Sequence, residues 1–295
     1  MARKKKKTLN LSDRMPLTLG GKILLGITYL LLILWVLAIL VPLALMFRSA
    51  FNGNQTTRIN MQAAFEFSTR HFDHLFNETM YFTWVQNTIF IAVATAALTL
   101  LFVSFTGYAY SRFRFKGRKA SLMTILLLQT IPSFAGITAY FTLYTLLQDR
   151  LPIFSRQLML IFIYSGGGIA GNTFILKGYL DSISMELDDA AKIDGLSYMQ
   201  IYRLVIMPIA RPMLAIIALW SFIGPFMDYL LPLVLLNRPE DYTLAPGLYS
   251  LISDLRNMNE PAFAAGGLLT AIPIVILFTA LQKQLVSGLA SGAVK

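Results

Sequence analysis

Acidic side chains are concentrated in the stretch MELDDAAKIDGLSYMQIYRLVIMPIARP, residues 185–212, whose surroundings are almost entirely apolar. Acids in the first turn of a helix interact favourably with its dipole, glycine commonly ends a helix, and serine caps the start of a new one. The spacing therefore predicts a short helix, a turn at Gly195 and a second helix that begins at Ser197. Such an acidic, rigid turn suits insertion into the surface of another protein, and a helical spacer between membrane segments is the alternative.

Few other side chains could do chemistry. Cysteine is absent, which excludes a disulfide, a thiol nucleophile and a thiolate metal site. His71 and His74 have the spacing of a helical metal pair near Asp73 and Glu78, but we expect a solvated loop there. The predicted spans offer no catalytic constellation, and the chain has no phosphate-binding loop of the form G-x-x-x-x-G-K-[ST]. We expect neither enzyme activity nor a cofactor, so energy for uphill transport would come from another protein.

Two polar residues in the predicted spans are candidates for a translocation path. Asp228 lies in the stretch SFIGPFMDYLLPL, and a carboxylate at membrane depth usually faces a bundle interior or a water-filled cavity. It could accept hydrogen bonds from a hydroxylated substrate. The alternatives are a buried structural acid, hydrogen-bonded or protonated, and an acid that lies nearer the membrane interface. Asn172 ends the glycine-rich stretch YSGGGIAGN, whose small residues suit close helix packing as well as a path.

Composition places the chain in a membrane. Of its 295 residues 56% are hydrophobic and 14% are charged, against about a quarter charged in ordinary soluble domains. The net charge of +10 comes from basic residues beside apolar runs, which indicates membrane topology rather than nucleic-acid binding. We predict an all-α integral membrane fold with six transmembrane helices. They are expected near residues 23–47, 88–111, 120–147, 158–176, 213–236 and 262–282.

The charges of the loops orient these spans. The run SRFRFKGRK, residues 111–119, is a strong cytoplasmic signal, because short cytoplasmic loops are enriched in lysine and arginine. With six spans, the basic tail 1–22 and the C-terminal tail 284–295 are then both cytoplasmic. The segment 48–86 becomes an extracytoplasmic loop, and the acidic segment 185–212 faces the cytoplasm.

The sequence DDAAKIDG, followed by MPIARP, resembles the EAA loop of the membrane subunits of ATP-binding-cassette (ABC) importers. The motif is an acid, two alanines, three residues and a glycine, followed by a hydrophobic stretch that ends in proline; Asp189 stands where the family usually has glutamate. The stretch GYAYSRFRFKGR resembles carbohydrate-uptake members. The C-terminal LVSGLASGAVK resembles the tail of the smaller permease subunit of maltose/maltodextrin-type systems. The likeness extends over about residues 85–295.

This resemblance implies a type I ABC importer transmembrane fold, with the ABC transmembrane type-1 domain at residues 87–283, in a bacterial cytoplasmic membrane. It implies a permease subunit for maltodextrin or a related oligosaccharide. Its partners would be a second homologous permease subunit, two ATPase subunits that hold ATP and Mg, an extracytoplasmic solute-binding protein and membrane lipid. The residues implied in coupling to the ATPase are Glu186, Asp188, Asp189, Ala190, Ala191, Asp194, Gly195 and Pro208. Those implied in a tail contact with the ATPase are Gly288, Ser291, Gly292 and Lys295.

Two other functions stay open. An importer of the same class could carry another oligosaccharide or glycerol phosphate; the phosphate would favour basic groups in the path, which the spans lack but a partner could supply. A stand-alone secondary transporter would explain the spans. It would leave the acidic segment without a role, and such transporters need ionisable groups within the membrane.

Overall fold

The computed structural model describes residues 18–151 and 153–292. Over those residues the chain is helical apart from turns, loops and one isolated antiparallel bridge, between Asn52 and Phe67. The chain divides into two compact units, and the division lies between Arg48 and Ser49. The first unit contributes most of helix α1 (Leu19–Phe51), which contains the predicted first span, residues 23–47.

The second unit is a bundle around α3 (Tyr81–Arg112), which packs along α6 (Arg156–Asp181) and α8 (Tyr198–Met227). The helix α8 contains a π-helical turn at Ile201–Ile206, directly before Pro208. A proline has no N–H to donate to the preceding turn, and π-helical turns commonly absorb such local mismatches. The helices after α1 are α2 (Arg70–Asn77), α3 (Tyr81–Arg112), α4 (Arg118–Gln129), α5 (Ile137–Arg150), α6 (Arg156–Asp181), α7 (Glu186–Ile193), α8 (Tyr198–Met227), α9 (Leu230–Leu235), α10 (Leu244–Ser253) and α11 (Glu260–Gly292).

Five of the described helices, α1, α3, α6, α8 and α11, are long and apolar enough to cross a membrane. The predicted third span, residues 120–147, is not one straight helix, because α4 and α5 meet at a break bent by 84°. Pro132 lies in this break with an extended backbone, ψ 127°, since proline disfavours continuation of a helix through it. The count is six only if this bent pair forms one span.

The predicted fifth span, residues 213–236, also has different limits. The helix α8 begins at Tyr198 and ends at Met227, so it includes the second helix predicted for the acidic segment. Asp228 then has an extended backbone, ψ 122°, and the short helix α9 follows. The helix does not begin near residue 213, because Pro208 and Pro212 lie within the first turns after the π-helical stretch, where the chain stays helical.

A close contact between Trp84 and Gly247 sets the packing of α10 on α3. The Trp84 indole N–H donates to the carbonyl of Pro239 at 2.9 Å, so the ring cannot easily rotate away. A Cβ on Gly247 would lie 2.2 Å from Trp84 Cδ2. We expect Gly247→Ala to destabilise the protein by about 1–3 kcal/mol, as overpacked cores do. Thermal unfolding in detergent measures this.

The matched control is Gly178→Ala, because a Cβ at Gly178 would meet no described atom within 4 Å. Alanine favours a helix more than glycine does, so this variant should melt at or above the wild-type temperature. Equal melting of the two alanine variants would contradict the packing argument.

The histidine stretch is a helix rather than the expected solvated loop. His71 lies on α2 and is 2% exposed, and its Nε2 donates to the carbonyl of Asn52 at 3.1 Å. His74 pairs with Glu78 at 2.7 Å. Within residues 18–151 and 153–292, no group of three His, Cys, Asp or Glu side chains could hold a metal ion. The polar composition misled the prediction, because α2 has one apolar face that packs inward.

Acid should destabilise the segment around α2. Burial lowers the pKa of His71 below its ordinary value of 6.5, and the positive charges of Arg70 and His74 act in the same direction against the hydrogen bond to Asn52. The unfolded chain therefore binds the proton more readily, so the stabilisation is complete above about pH 6.5 and is lost as the pH falls through the lowered pKa. Melting temperatures of the wild type should fall more between pH 7.5 and pH 5.5 than those of His71→Gln. Parallel pH profiles would contradict this.

Candidate functional site

The predicted helix–turn–helix of residues 185–212 is present; it is named the coupling segment after the role that the family resemblance implies. The helix α7 ends with two backbone hydrogen bonds, from Gly195 N to Lys192 O and from Leu196 N to Ala191 O, both 3.0 Å. They are the pair that defines a Schellman motif, and Gly195 has the left-handed φ of +84° that the motif requires. The first turn of α7 contains the three acids Glu186, Asp188 and Asp189.

The start of α8 is fixed by a capping box. The Ser197 side chain and backbone pair reciprocally with Gln200, and Ser197 N donates to Gln200 Oε1 at 2.8 Å. One turn later, the Tyr202 hydroxyl donates to Ser104 Oγ on α3 at 2.7 Å. The Tyr202 ring also stacks on Phe105 with centroids 4.9 Å apart. The second half of the coupling segment is therefore held against α3.

A buried ion pair ties α7 to the same helix. Arg112, the last residue of α3, places its Nε 3.1 Å from Asp188 Oδ2, and the two side chains are 5% and 4% exposed. This contact is ionic, while the guanidinium donates hydrogen bonds to the carbonyls of Leu180 at 3.0 Å and Ile183 at 3.3 Å. One side chain thus joins the end of α3, the end of α6 and the coupling segment.

Sequence reasoning treated Arg112 only as part of a topology signal. The sequence does contain a usable clue, since Arg112 is the first basic residue after an apolar run and can reach the free carbonyls at a helix end. Its pairing with Asp188 could not be read from the sequence, because the two residues are far apart along the chain.

The candidate coupling residues occupy two faces of α7. Asp188 and Ala191 are buried, and Ala191 packs in a cluster with Val103 and Ile201. Asp189 is 66% exposed and holds Lys192 at 3.0 Å, which raises the pKa of that lysine. The exposed face carries Glu186, Asp189, Ala190, Asp194 and Gly195. Pro208 is half-buried, in the first turn after the π-helical stretch of α8.

Asp228 lies at the break between α8 and α9. Its Oδ1 accepts from the N–H groups of Leu230 at 3.0 Å and Leu231 at 3.3 Å. Its Oδ2 accepts from the hydroxyl of Tyr164 on α6 at 3.0 Å. The acid therefore caps α9 and links it to α6, while it also lines a cavity of about 390 Å³.

The other candidate path residue is elsewhere. Asn172 Nδ2 donates to the carbonyl of Gly168 on its own helix at 2.8 Å. Gly168 lines the cavity and Asn172 does not, so the structure does not bring Asn172 and Asp228 together. The sequence analysis missed Tyr164, whose place on α6 gives no local sign that it faces Asp228.

The C-terminal candidates lie partly on α11, which continues through most of the predicted tail 284–295. Gly288, Ser291 and Gly292 belong to this helix, while Lys295 lies outside the described residues. Glutamine, leucine and alanine in LQKQLVSGLASG favour a helix and no proline interrupts them, so the helix continues about three turns beyond residue 282, where the predicted span ends.

Residues 103–291, which include the coupling segment, match the family described as "Binding-protein-dependent transport system inner membrane component". The chain belongs to this family. It is therefore a multi-pass cell-membrane protein and a transport subunit, and the resemblance identified from the EAA-like motif is confirmed.

Two curated relatives cover most of this permease. The maltodextrin transport system permease protein MdxG of Bacillus subtilis (strain 168) is 41% identical over 268 residues, 91% of this chain and 95% of the relative. The galactooligosaccharides transport system permease protein GanQ of the same strain is 42% identical over 275 residues, which are 91% of this chain and 94% of the relative. A bacterial ABC transporter involved in the import of the acidic polysaccharide alginate has the same fold, with a TM-score of 0.75 and 24% identity over 92% of this chain and 99% of that one.

Proposed function

We propose that this permease is one membrane subunit of an ATP-driven importer for maltodextrin or a related oligosaccharide. The observation that carries the proposal is the coupling segment, in which an acidic helix has one face fixed to the bundle and the other exposed. A segment that only joined two spans would need neither the buried ion pair nor the rigid turn. The names of the maltodextrin and galactooligosaccharide relatives support the sugar class.

The assembly that we propose has a second homologous permease subunit, two ATPase subunits and an extracytoplasmic solute-binding protein. ATP and Mg would be held by the ATPase subunits, and lipid would surround the spans. Six spans follow if α4 and α5 cross as one broken unit, and both tails, residues 1–22 and 284–295, are then cytoplasmic. The transport domain would be residues 87–283, and residues 48–86 would face outward.

In this assembly the exposed face of α7 would dock in a groove of the ATPase. Displacement of α7 would be transmitted through Asp188 to Arg112, and through Tyr202 to Ser104, both on α3. Packed elements with few alternative arrangements transmit such displacements. The tail residues Gly288, Ser291, Gly292 and Lys295 would approach the ATPase subunits, and Asp228 and Asn172 would belong to the path.

The decisive experiment is isolation of the tagged chain from its native membrane in gentle detergent, followed by reconstitution with the proteins that co-purify. A nucleotide-binding subunit and a second permease should come with it, and the ATPase should be stimulated by a solute-binding protein loaded with maltotriose. Isolation of the chain alone, or with copies of itself only, would overturn the proposal.

Titration of the solute-binding protein then names the sugar. Maltodextrins and galactooligosaccharides are the two candidates, and tighter binding of one of them decides between them. Uptake of glycerol phosphate without uptake of either sugar would replace the proposed substrate with the phosphate ester.

A further inference from the structure

We propose that the cavity beside Asp228 is a contact site for a neutral sugar unit in this permease itself. The inference rests on the proposed function and goes beyond it by assigning a substrate contact to this subunit. Three features of the cavity support it. Two interruptions of helical backbone meet there, the Asp228 carboxylate and the Tyr164 hydroxyl on its wall can accept hydrogen bonds, and the charge of its lining is negative.

The cavity lies where two helical interruptions come together. Asp228 belongs to the break between α8 and α9, and Phe134 lies in the 3-10 turn that follows the break after α4 and leads into α5; both residues line the cavity. Irregular backbone at membrane depth is tolerated where it is buried in protein or lines a wet cavity. Two breaks facing one cavity of about 390 Å³ fit a ligand site, since such sites typically measure about 300–1,000 Å³.

The wall has the chemistry of a site for hydroxyl groups. The Tyr164 hydroxyl donates to Asp228 Oδ2 at 3.0 Å, so its own lone pairs remain able to accept. Asp228 already caps α9, yet a carboxylate has about four acceptor positions, and its three hydrogen bonds leave room for one more. The rings of Phe134, Tyr140 and Tyr164 line the same space and offer flat apolar faces of the kind that aromatic side chains bring to a site.

Charge selects the class of ligand. Among the described residues that line the cavity, Asp228 is the one acid and none is basic. A fixed negative charge with low-dielectric walls repels anions strongly. The site therefore favours a neutral sugar and opposes a phosphate ester or a uronate. A purely structural acid, which only caps α9 and binds Tyr164, is the competing hypothesis.

The absence of cysteine from the sequence permits a direct test in the reconstituted complex. We would place one thiol in the wall, Ile137→Cys, and one on α6 outside the cavity, Ile175→Cys, which is exposed in the described structure. Each is treated with a small charged methanethiosulfonate during ATP turnover, with the solute-binding protein sugar-free or loaded with maltotriose. Modification is read on this chain by mass spectrometry.

We expect Ile137→Cys to react about tenfold more slowly with maltotriose present, as for a site occupied for about nine-tenths of the time, and Ile175→Cys to be unaffected. Combined with Ile137→Cys, Tyr164→Phe should remove most of the protection, while Tyr144→Phe, at a buried tyrosine of α5 outside the cavity, should retain it. No reaction at Ile137→Cys, no effect of sugar there, or full protection in Tyr164→Phe would overturn the inference. If the wild-type complex takes up maltotriose and the Ile137→Cys complex yet shows no protection, this inference alone fails. If the wild-type complex takes up no sugar, the proposed function fails.

Discussion

Replacement of Asp188 by alanine is expected to lower the free energy of unfolding by about 3–5 kcal/mol, because it would leave the Arg112 guanidinium buried without its ionic partner. The two side chains are 4% and 5% exposed and 3.1 Å apart. The hydrogen bonds that Arg112 donates to the Ser111 hydroxyl and to the carbonyls of Leu180 and Ile183 involve neutral acceptors and do not neutralise its charge. The variant complex should melt at a markedly lower temperature, and stimulated ATPase activity should no longer drive maltotriose uptake.

The matched control is the neighbouring acid. Asp189 is 66% exposed and pairs with Lys192, and solvent screening leaves such an exposed pair with little effect on stability. Asp189→Ala should therefore leave melting nearly unchanged, although it would weaken ATPase docking. The double variant Arg112→Met with Asp188→Leu should recover much of the stability, because apolar pairs often replace buried ion pairs without loss. Equal melting of the two single alanine variants would contradict the role of the buried pair.

Replacement of Gly195 by valine is expected to uncouple ATP hydrolysis from transport. A Cβ at this position would meet no described atom within 4 Å, so the cost comes from the backbone, whose φ is +84°. A β-branched residue in this region costs about 1–3 kcal/mol, which the turn can escape by abandoning the Schellman motif. Maltotriose uptake per ATP hydrolysed should then fall about tenfold, which corresponds to about 1.4 kcal/mol.

Two control variants separate the turn from general backbone strain. Gly195→Asn should retain most of the coupling, because asparagine visits the left-handed region readily. Gly117→Val imposes the same strain at a second turn, where φ is +86° and a Cβ likewise meets no described atom within 4 Å; it should leave the ratio of uptake to hydrolysis unchanged. If Gly195→Val transported as the wild type does, the coupling segment would not have the proposed role.

The secondary structure of the coupling segment was the feature best predicted from the sequence, because the residues that determine it are close together in the chain. Acids at the start of α7, the glycine after it and the Ser197 cap each act within about one helical turn. The family motif lies in the same stretch, so local structure and family membership were predicted from the same residues. The membrane class followed from composition, since apolar runs of about twenty residues are the length that a helix needs to cross a bilayer.

The first and last residues of the spans were predicted less well, because hydropathy reports which residues are apolar and not where the backbone turns. The prolines at positions 208 and 212 look like boundaries but lie within a continuous helix. Pro132, in an equally apolar stretch, does break its helix. The outcome depends on whether neighbouring helices and a π-helical turn accommodate the proline, and this is a property of the packed bundle.

By itself the sequence determined that this chain is a helical membrane permease with an acidic coupling segment, since composition, local caps and motif all act over short distances. Only the tertiary structure decided the roles of the polar side chains. Asp188 and Asp189 are adjacent and chemically alike, yet one is buried on Arg112 and the other is exposed. Asp228 gains its bond to α6 from Tyr164 and its cavity from the two helix breaks. These partners are distant in sequence, and packing alone brings them together.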